Sequence, residues 1–346
     1  MRRLHTPFQL LTLLALLAIS GALVLGFFGA YHPALDSFSH FRAHLAVVLA
    51  FLALMLFLFT PFRIEAAVAL AFALGAFSTT SIALPLPWLS PVQAGFEARP
   101  DDQATYRLLQ MNLRYDNATP EKVLSLIGRT QPDVITLDEV SDMWEGKLDL
   151  LANAYPHRII CPFPNTVFGV AILSRRPFAE GTEPRCYSRG ALAIARIDFG
   201  GTPVDVAAIH IGWPWPFEQK WQVGEMSTHL EQLGQTALMA GDCNAVPWSA
   251  TVQKVAKAGG LKLMPSVGPT WQYIKLPDFL RFAGLPIDQV FSKGAVLIHS
   301  AARLEDTGSD HLPVMVDFSL RPEPDEPDNG HETATASAMA AGKVRG

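Results

Sequence analysis

The 346 residues suffice for one large domain or two smaller ones. An apolar content of 49% against 17% charged residues is rich for a soluble protein, and a net charge of −5 leaves no bulk basic footprint for nucleic acid. Three cysteines exclude a disulfide-framed scaffold and allow one intrachain bridge at most.

The apolar excess sits at the start of the chain, where residues 8–84 carry almost no charge. Three segments stand out, Phe8–Gly29, His44–Thr60 and Ile64–Leu84. A helix crosses a hydrocarbon core of ~30 Å with ~20 apolar residues, so the expectation is three transmembrane helices, the second at the short limit. A cleaved signal followed by a helical hairpin is the rival reading. Arg2, Arg3 and Arg63 would lie on one side and Arg42 and Arg99 on the other. The positive-inside bias then keeps the N-terminus cytoplasmic. Everything after Leu84 would face the periplasm from a bacterial inner membrane.

Residues 85–103 are proline-rich and patternless, and read as a linker. Residues 104–320 alternate strand-like and helix-like stretches, and residues 321–346 read as a disordered tail. "YRLLQMNLR" (Tyr106–Arg114) and "DVITLDEV" (Asp133–Val140) read as strands. Between them Thr119 and Pro120 open a helix as N-cap and first helical residue. Further strands begin at Gly169, Ala191 and Val204. Phe217–Gln235 reads as a helix that buries Trp221, Met226 and Leu230. "TALMAGD", "IDQVFSK" and "PVMVDFSL" complete the set of strands. Cys161 and Cys186 flank one strand, where an oxidising compartment permits a bridge; two free thiols are the alternative. Cys243 reads as a small buried residue.

Polar residues recur where the apolar runs end. Asn112, Glu139 and His210 end three of them, and Asp242 and Asn244 end a fourth. Asp288 begins the next, and Asp310 and His311 precede the last. Singly, each has an ordinary explanation as a turn, a strand end or a satisfied core histidine. Scattered buried carboxylates would each cost several kcal/mol, about 3–5 when left unpaired, whereas a shared pocket holding a cation satisfies them together.

The ordered strings "MNLRYDN", "PDVITLDEV", "AAIHI", "AGDCNAVPWS", "TWQ", "PIDQVF" and "GSDHLPV" resemble the signatures of the endonuclease/exonuclease/phosphatase superfamily, the deoxyribonuclease I-like fold. The resemblance runs from Tyr106 to Leu320 and, with the apolar segments ahead of it, is similar to membrane-anchored bacterial members. It implies an α+β fold of two packed mixed β-sheets flanked by helices, a four-layer sandwich, here preceded by three transmembrane helices. It also implies phosphate-ester hydrolysis with Mg2+ or Mn2+. By the same resemblance Glu139 is the principal metal ligand, with Asn112 and Asp310 near the metal. Asp242 would orient or deprotonate water, and Asn244 would bond a phosphate oxygen or the nucleophile. His210 and His311 would donate to charge developing at phosphorus, and Asp288 would orient one imidazole. Asp310 would also lie near the leaving group. Three positions depart from the pattern: Gln289 stands where many relatives have His, Cys243 where Phe is frequent, and Asp138 where Gln is common.

After His210 comes "GWPWPFEQKW", whose prolines stiffen a loop bearing Trp213, Trp215 and Phe217. It is either a packed cover or a rim that stacks a base, a sugar or lipid headgroups. Between residues 101 and 320 there are 19 Lys plus Arg against 24 Asp plus Glu. On that balance the expected partners are a small or lipid-linked phosphodiester and the lipid bilayer, with nucleic acid less favoured. A nuclease is the alternative, and a non-catalytic membrane binding module of the same fold the second alternative.

Overall fold

Among the described residues the apolar start of the chain forms four α-helices rather than three spans. The computed structural model describes residues 7–80, 96–98, 103–163 and 169–321. The proposed linker and tail lie outside the described residues except for residues 96–98, 103 and 321. Helix α1 (Pro7–Leu25) continues through a short 3-10 turn, and Pro7–Phe28 is the one stretch long and apolar enough to cross a membrane among the described residues. Helices α2 (Pro33–Ser39) and α3 (Arg42–Phe57) meet at a 60° bend and would cross only as one broken span.

The expected three transmembrane helices are therefore corrected to one, or two if the bent pair counts as a span. The physical reason is length. Helices α3 and α4 (Arg63–Ser78) have 16 residues each. At ~1.5 Å per residue each reaches ~24 Å, short of a ~30 Å hydrocarbon core. They pack on each other through a small-residue seam that includes Ala46, Ala53, Ala66 and Ala73.

Strand alternation builds the rest. In chain order the strands are β1 (Tyr106–Asn112), β2 (Val134–Asp138), β3 (His157–Cys161), β4 (Val170–Ser174), β5 (Arg185–Tyr187) and β6 (Leu192–Asp198). They continue with β7 (Pro203–Ile209), β8 (Ala237–Asp242), β9 (Lys262–Leu263), β10 (Asp288–Lys293), β11 (Val296–Arg303) and β12 (Val314–Leu320). One sheet has the order β11-β12-β1-β2-β4-β3 and the other β5-β6-β7-β8-β10-β9. Both are mixed: β1–β2 and β7–β8 pair parallel, and the remaining pairs are antiparallel. Successive residues point to opposite faces. Leu108, Val134, Val206, Ala240 and Val290 thus fill the space between the sheets. Leu109, Ile135 and Leu173 face outward against α5 (Pro120–Thr130) and α6 (Asp142–Leu148). Ala207, Met239 and Phe291 face α7 (Gln219–Leu230) and α8 (Ala250–Gly259). Two mixed sheets between helical layers are the expected architecture.

Local expectations met two departures. Thr119 sits at the N-cap of α5, but its hydroxyl makes no cap. It bonds Asn117 Oδ1 and the Thr307 carbonyl instead. On α7 Val223, Met226 and Leu230 are buried, while Trp221 is 60% exposed.

Cys161 on the edge strand β3 is bonded to Cys186 on the edge strand β5, so the bridge ties one sheet to the other; Cys243 is free and buried. It closes a loop with a sequence separation of 25. By loop-closure entropy, replacing both cysteines by Ser is expected to cost about 3.5 kcal/mol. Urea unfolding of the double variant checks this; an unchanged midpoint contradicts it.

Candidate active site

The alternation that fills the core also delivers the polar residues. Between the sheets β1 places Tyr106 and Leu108, then Gln110 and Asn112. Strand β2 places Val134, then Thr136 and Asp138. Strand β7 places Val206 and Ala208, and His210 follows; β8 places Leu238 and Ala240, then Asp242. Strand β10 starts with Asp288 two residues before Val290. Register aligns them, Asn112 opposite Asp138 and Asp242 opposite Asp288. The inter-sheet space is therefore apolar at one end and polar at the other. Gly241 is needed there, because a Cβ would lie 1.8 Å from the Ile209 carbonyl oxygen.

Loops add the remaining groups. Glu139 leaves β2 in the left-handed region, φ 58°, and Asn244 follows β8 at φ 45°. Non-glycine residues hold such conformations at a cost of about 1 kcal/mol or more. Strand β8 ends at Asp242, so strand alternation does not set the relation of Asp242 to Asn244. A turn does: the Asn244 N–H donates to Asp242 Oδ1 at 2.7 Å, and Asn244 Nδ2 donates to the Ile211 carbonyl at 2.9 Å.

Asp242 Oδ2 is the hub. It accepts from Asn112 Nδ2 at 3.1 Å and faces His210 Nε2 at 3.7 Å and His311 Nε2 at 3.6 Å. Asn112 Nδ2 also donates to Glu139 Oε1 at 3.1 Å, and its oxygen accepts from the Arg114 N–H at 2.9 Å. Glu139 Oε2 accepts from the Tyr115 N–H at 2.9 Å. His311 Nδ1 bonds Asp288 Oδ2 at 2.8 Å. Asp310 stands at the rim, its Oδ2 accepting from Trp271 Nε1 at 3.0 Å. The structure thus brings Asn112, Glu139, His210, Asp242, Asn244, Asp288 and His311 into one network, with Asp310 beside it.

Carboxylates outnumber cations in this network, and burial acts on the excess. Burial pushes Asp242 up to about 8, against the attraction of His311. Burial, then repulsion from Asp242, holds Asp138 well above the usual carboxylate range. Burial also raises Glu139, opposed by the Tyr115 N–H. Burial alone would lower His311, but Asp288 and Asp242 face it and raise it to about 10. Burial opposes ionisation of Asp288, yet the charge and hydrogen bond of His311 bring it below its usual value. His311 and Asp288 favour each other's charged forms, while Asp242 and Asp138, short of positive charge, are held above the usual carboxylate range. That shortage fits a hard divalent cation with oxygen ligands. Asp242, Asp288 and His311 offer three ligand atoms within 4.8 Å of one another.

Several participants carried no signal as motifs. Gln110 Nε2 bridges Asp138 Oδ2 and Asp288 Oδ1, each at 3.0 Å. It lies two residues before Asn112, so strand period alone would place it on the same face. Asp138 also accepts the Asp242 N–H at 2.8 Å. Ser309 Oγ bonds the Asn112 carbonyl and receives the His311 N–H. Gln289 turns its amide to the Ala245 and Pro286 carbonyls, a structural use.

Residues 109–311, more than half of the chain, match the model of the Endonuclease/Exonuclease/phosphatase family. No curated protein matches the chain. Among solved structures, an endonuclease/exonuclease/phosphatase from Beutenbergia cavernae is 21% identical, with a TM-score of 0.50 over 63% of this chain and 72% of that one. One from Bacteroides vulgatus is 17% identical, TM-score 0.52, over 63% of this chain and 100% of that one. D. rerio TDP2, solved with a single strand DNA product, is 18% identical, TM-score 0.51, with the same two coverages. At these identities the likeness is one of fold. The DNA-bound neighbour overturns the expectation that nucleic acid is the less favoured partner. Net charge sums the whole surface and does not describe the mouth, where Arg114 is paired with Asp116 and lies within electrostatic reach of Asp310. With the family model spanning the network from β1 to His311, the chain belongs to the endonuclease/exonuclease/phosphatase family and is a divalent-metal-dependent hydrolase of phosphoric esters.

Proposed function

We propose that this hydrolase is a nuclease that cleaves phosphodiester bonds in nucleic acid presented as a flexible single strand. The observation that carries this reading is an aromatic path into the site. Trp213 is 47% and Trp215 53% exposed on the loop after His210. Trp213 meets Trp271 edge to face at 6.2 Å, and Trp271 donates to Asp310. Tyr273, two residues after Trp271, is exposed as well. Such platforms stack successive bases of a single strand with about 1–3 kcal/mol each. The DNA-bound neighbour of the same fold supports the reading.

Mg2+ or Mn2+ is the proposed ion, held by the oxygens of Glu139 and Asp310. Asn112 joins them if its amide turns its oxygen inward. The ion would polarise the scissile phosphate. Asp242 is the proposed acceptor of the water proton, with Asn244 steadying its carboxylate through the N–H bond at 2.7 Å. His210 and the charged His311 would donate to the phosphate oxygens, and Asp288 fixes the His311 ring at 2.8 Å. A small or lipid-linked phosphodiester is the second reading, favoured by the excess of 24 acidic over 19 basic residues between 101 and 320. The proposed setting is a chain tethered through α1 with residues 104–320 on the oxidising side, in a bacterium the periplasm; the Cys161–Cys186 bridge supports it.

Trp213→Ala/Trp215→Ala tests the substrate. Turnover of a single-stranded oligonucleotide is expected to fall about tenfold or more, with a soluble aryl diester within about twofold. Loss confined to a vesicle-borne diester would favour the second reading. Equal loss on every substrate, together with a lower melting temperature, would show that the loop only packs.

A further inference from the structure

The helical N-terminus touches the catalytic domain at the loop that follows Asp242. Asp36, on α2, is 5% exposed, and its carboxylate caps α8 across 214 residues of sequence. Oδ1 accepts from the Ala250 N–H at 2.8 Å and Oδ2 from the Thr251 N–H at 3.0 Å. These are the first two N–H groups of α8, which no intrahelical carbonyl can satisfy. Ser249 serves only the next, Val252, through its side chain. A second contact lies beside it, Trp248 Nε1 donating to the Ser39 carbonyl at 2.7 Å. A third joins His44 Nε2 to the Ala283 carbonyl at 2.6 Å.

The connection continues inward. The Thr251 hydroxyl lies 3.0 Å from both Asp36 Oδ2 and Gln219 Oε1. The other end of Gln219, Nε2, donates to the carbonyls of Gly212 at 3.1 Å, Asn244 at 3.3 Å and Cys243 at 3.4 Å. Those carbonyls belong to the two segments that leave the site, one after His210 and one after Asp242. Gly29 is closed against Asp36, since a Cβ there would stand 2.5 Å from Oδ1.

We infer that Asp36 is a positioning residue for hydrolysis: α2 is a brace that holds the Asp242–Ser249 turn through α8, Thr251 and Gln219. The inference rests on the assignment of Asp242 and Asn244 to the catalytic machinery. It makes the N-terminal helices part of the enzyme's geometry as well as its tether. A carboxylate suits the task because both of its oxygens accept, and it carries charge at a helix N-terminus. Asp36→Asn keeps the shape but turns an NH2 group toward a backbone N–H, so one of the two bonds is lost.

The test uses the full-length chain. In Asp36→Asn, kcat on a soluble aryl phosphodiester is expected to fall about tenfold or more, with KM within about twofold, since small displacements at a site cost rate before binding. Thr251→Val, which removes the hydroxyl and leaves both N–H bonds, should lower kcat in the same direction by less. Without metal, hydrogen exchange in Asp36→Asn should quicken at residues 243–252. Unchanged kcat per folded molecule overturns the inference even if the melting temperature falls, because the cap is then only structural. Unchanged exchange at 243–252 overturns it as well. Asp242→Asn, assayed in parallel, separates the two assignments. If it turns over like the wild type, the catalytic assignment fails, while the exchange data still decide whether the brace holds the turn.

Discussion

Asp242→Asn is expected to lower kcat by roughly a thousandfold while leaving the fold intact. The substitution preserves shape and removes the group that can take up a proton at the point where four groups converge. Asp242 Oδ2 receives Asn112 and faces two imidazoles, and Oδ1 receives the Asn244 N–H. A neutral amide cannot take a proton from water, and its NH2 would confront the charged His311. Glu139→Gln should lose activity differently, through a higher metal requirement that added Mn2+ partly restores. His311→Asn should match Asp242→Asn in size. Combined with Asp288→Asn it should add little, because the two side chains act as one pair at 2.8 Å. Steady-state rates on an aryl phosphodiester, with a metal titration for each variant, read these effects. Wild-type turnover in both Asp242→Asn and Glu139→Gln would remove the network from the chemistry.

Much of this network was legible in the sequence, because strands that alternate between core and site leave a polar residue where the apolar run stops. Asn112, Asp242 and Asp288 could be found that way. Asp138 could not: beside Glu139 it resembles a solvated strand end, and only the pairing of β1 with β2 buries it opposite Asn112. Gln110 hid inside an apolar run, although its spacing from Asn112 was sufficient to flag it. The short edge strands β3, β5 and β9 are stabilised by their neighbours more than by their own pattern. Strand β11 is broken up by His299 and Ser300 and is recognisable only beside β12. Trp221 precedes Met226 by five residues, about 140° round a helix at 3.6 residues per turn, and so lies off the buried face. An apolar run does not fix helix length, which depends on where the ends fall, here at Phe57 and Ser78. Nothing local connects Asp36 to Ala250. Contacts across two hundred residues arise only when the tertiary structure closes.

The metal-free protein is expected to lose stability steadily as pH rises from about 5 to about 9, and Asp242→Asn to lose less. Asp242 binds its proton up to about 8 in the folded chain, against a usual value of 3.8. Its raised folded value means that its contribution is fully present below the usual carboxylate range and is lost as pH climbs through 8. His311, raised from 6.5 to about 10, acts in the same direction in a higher window, from neutrality upward. Asp288, held below its usual value, acts oppositely and is felt only on the acid side, below 3.8. Between pH 5 and pH 6 Asp242 contributes about 1.4 kcal/mol per pH unit for one proton, and Asp138 and Glu139, also raised by burial, act in the same direction. For a domain of this size that is about 3–6 °C in melting temperature per unit. Asp242→Asn lacks that titrating group and should decline less steeply there by about one proton's worth. The variant should therefore melt above the wild type at pH 8 while being far less active than it. Adding Mg2+ or Mn2+ should raise the wild-type melting temperature more at pH 8 than at pH 5, since carboxylate ligands must be ionised to bind. Thermal melts in chelator and in metal at four pH values provide the check. A wild-type profile that is level from pH 5 to pH 9 in chelator, or a variant profile parallel to it, would mean that Asp242 is ionised without a cation.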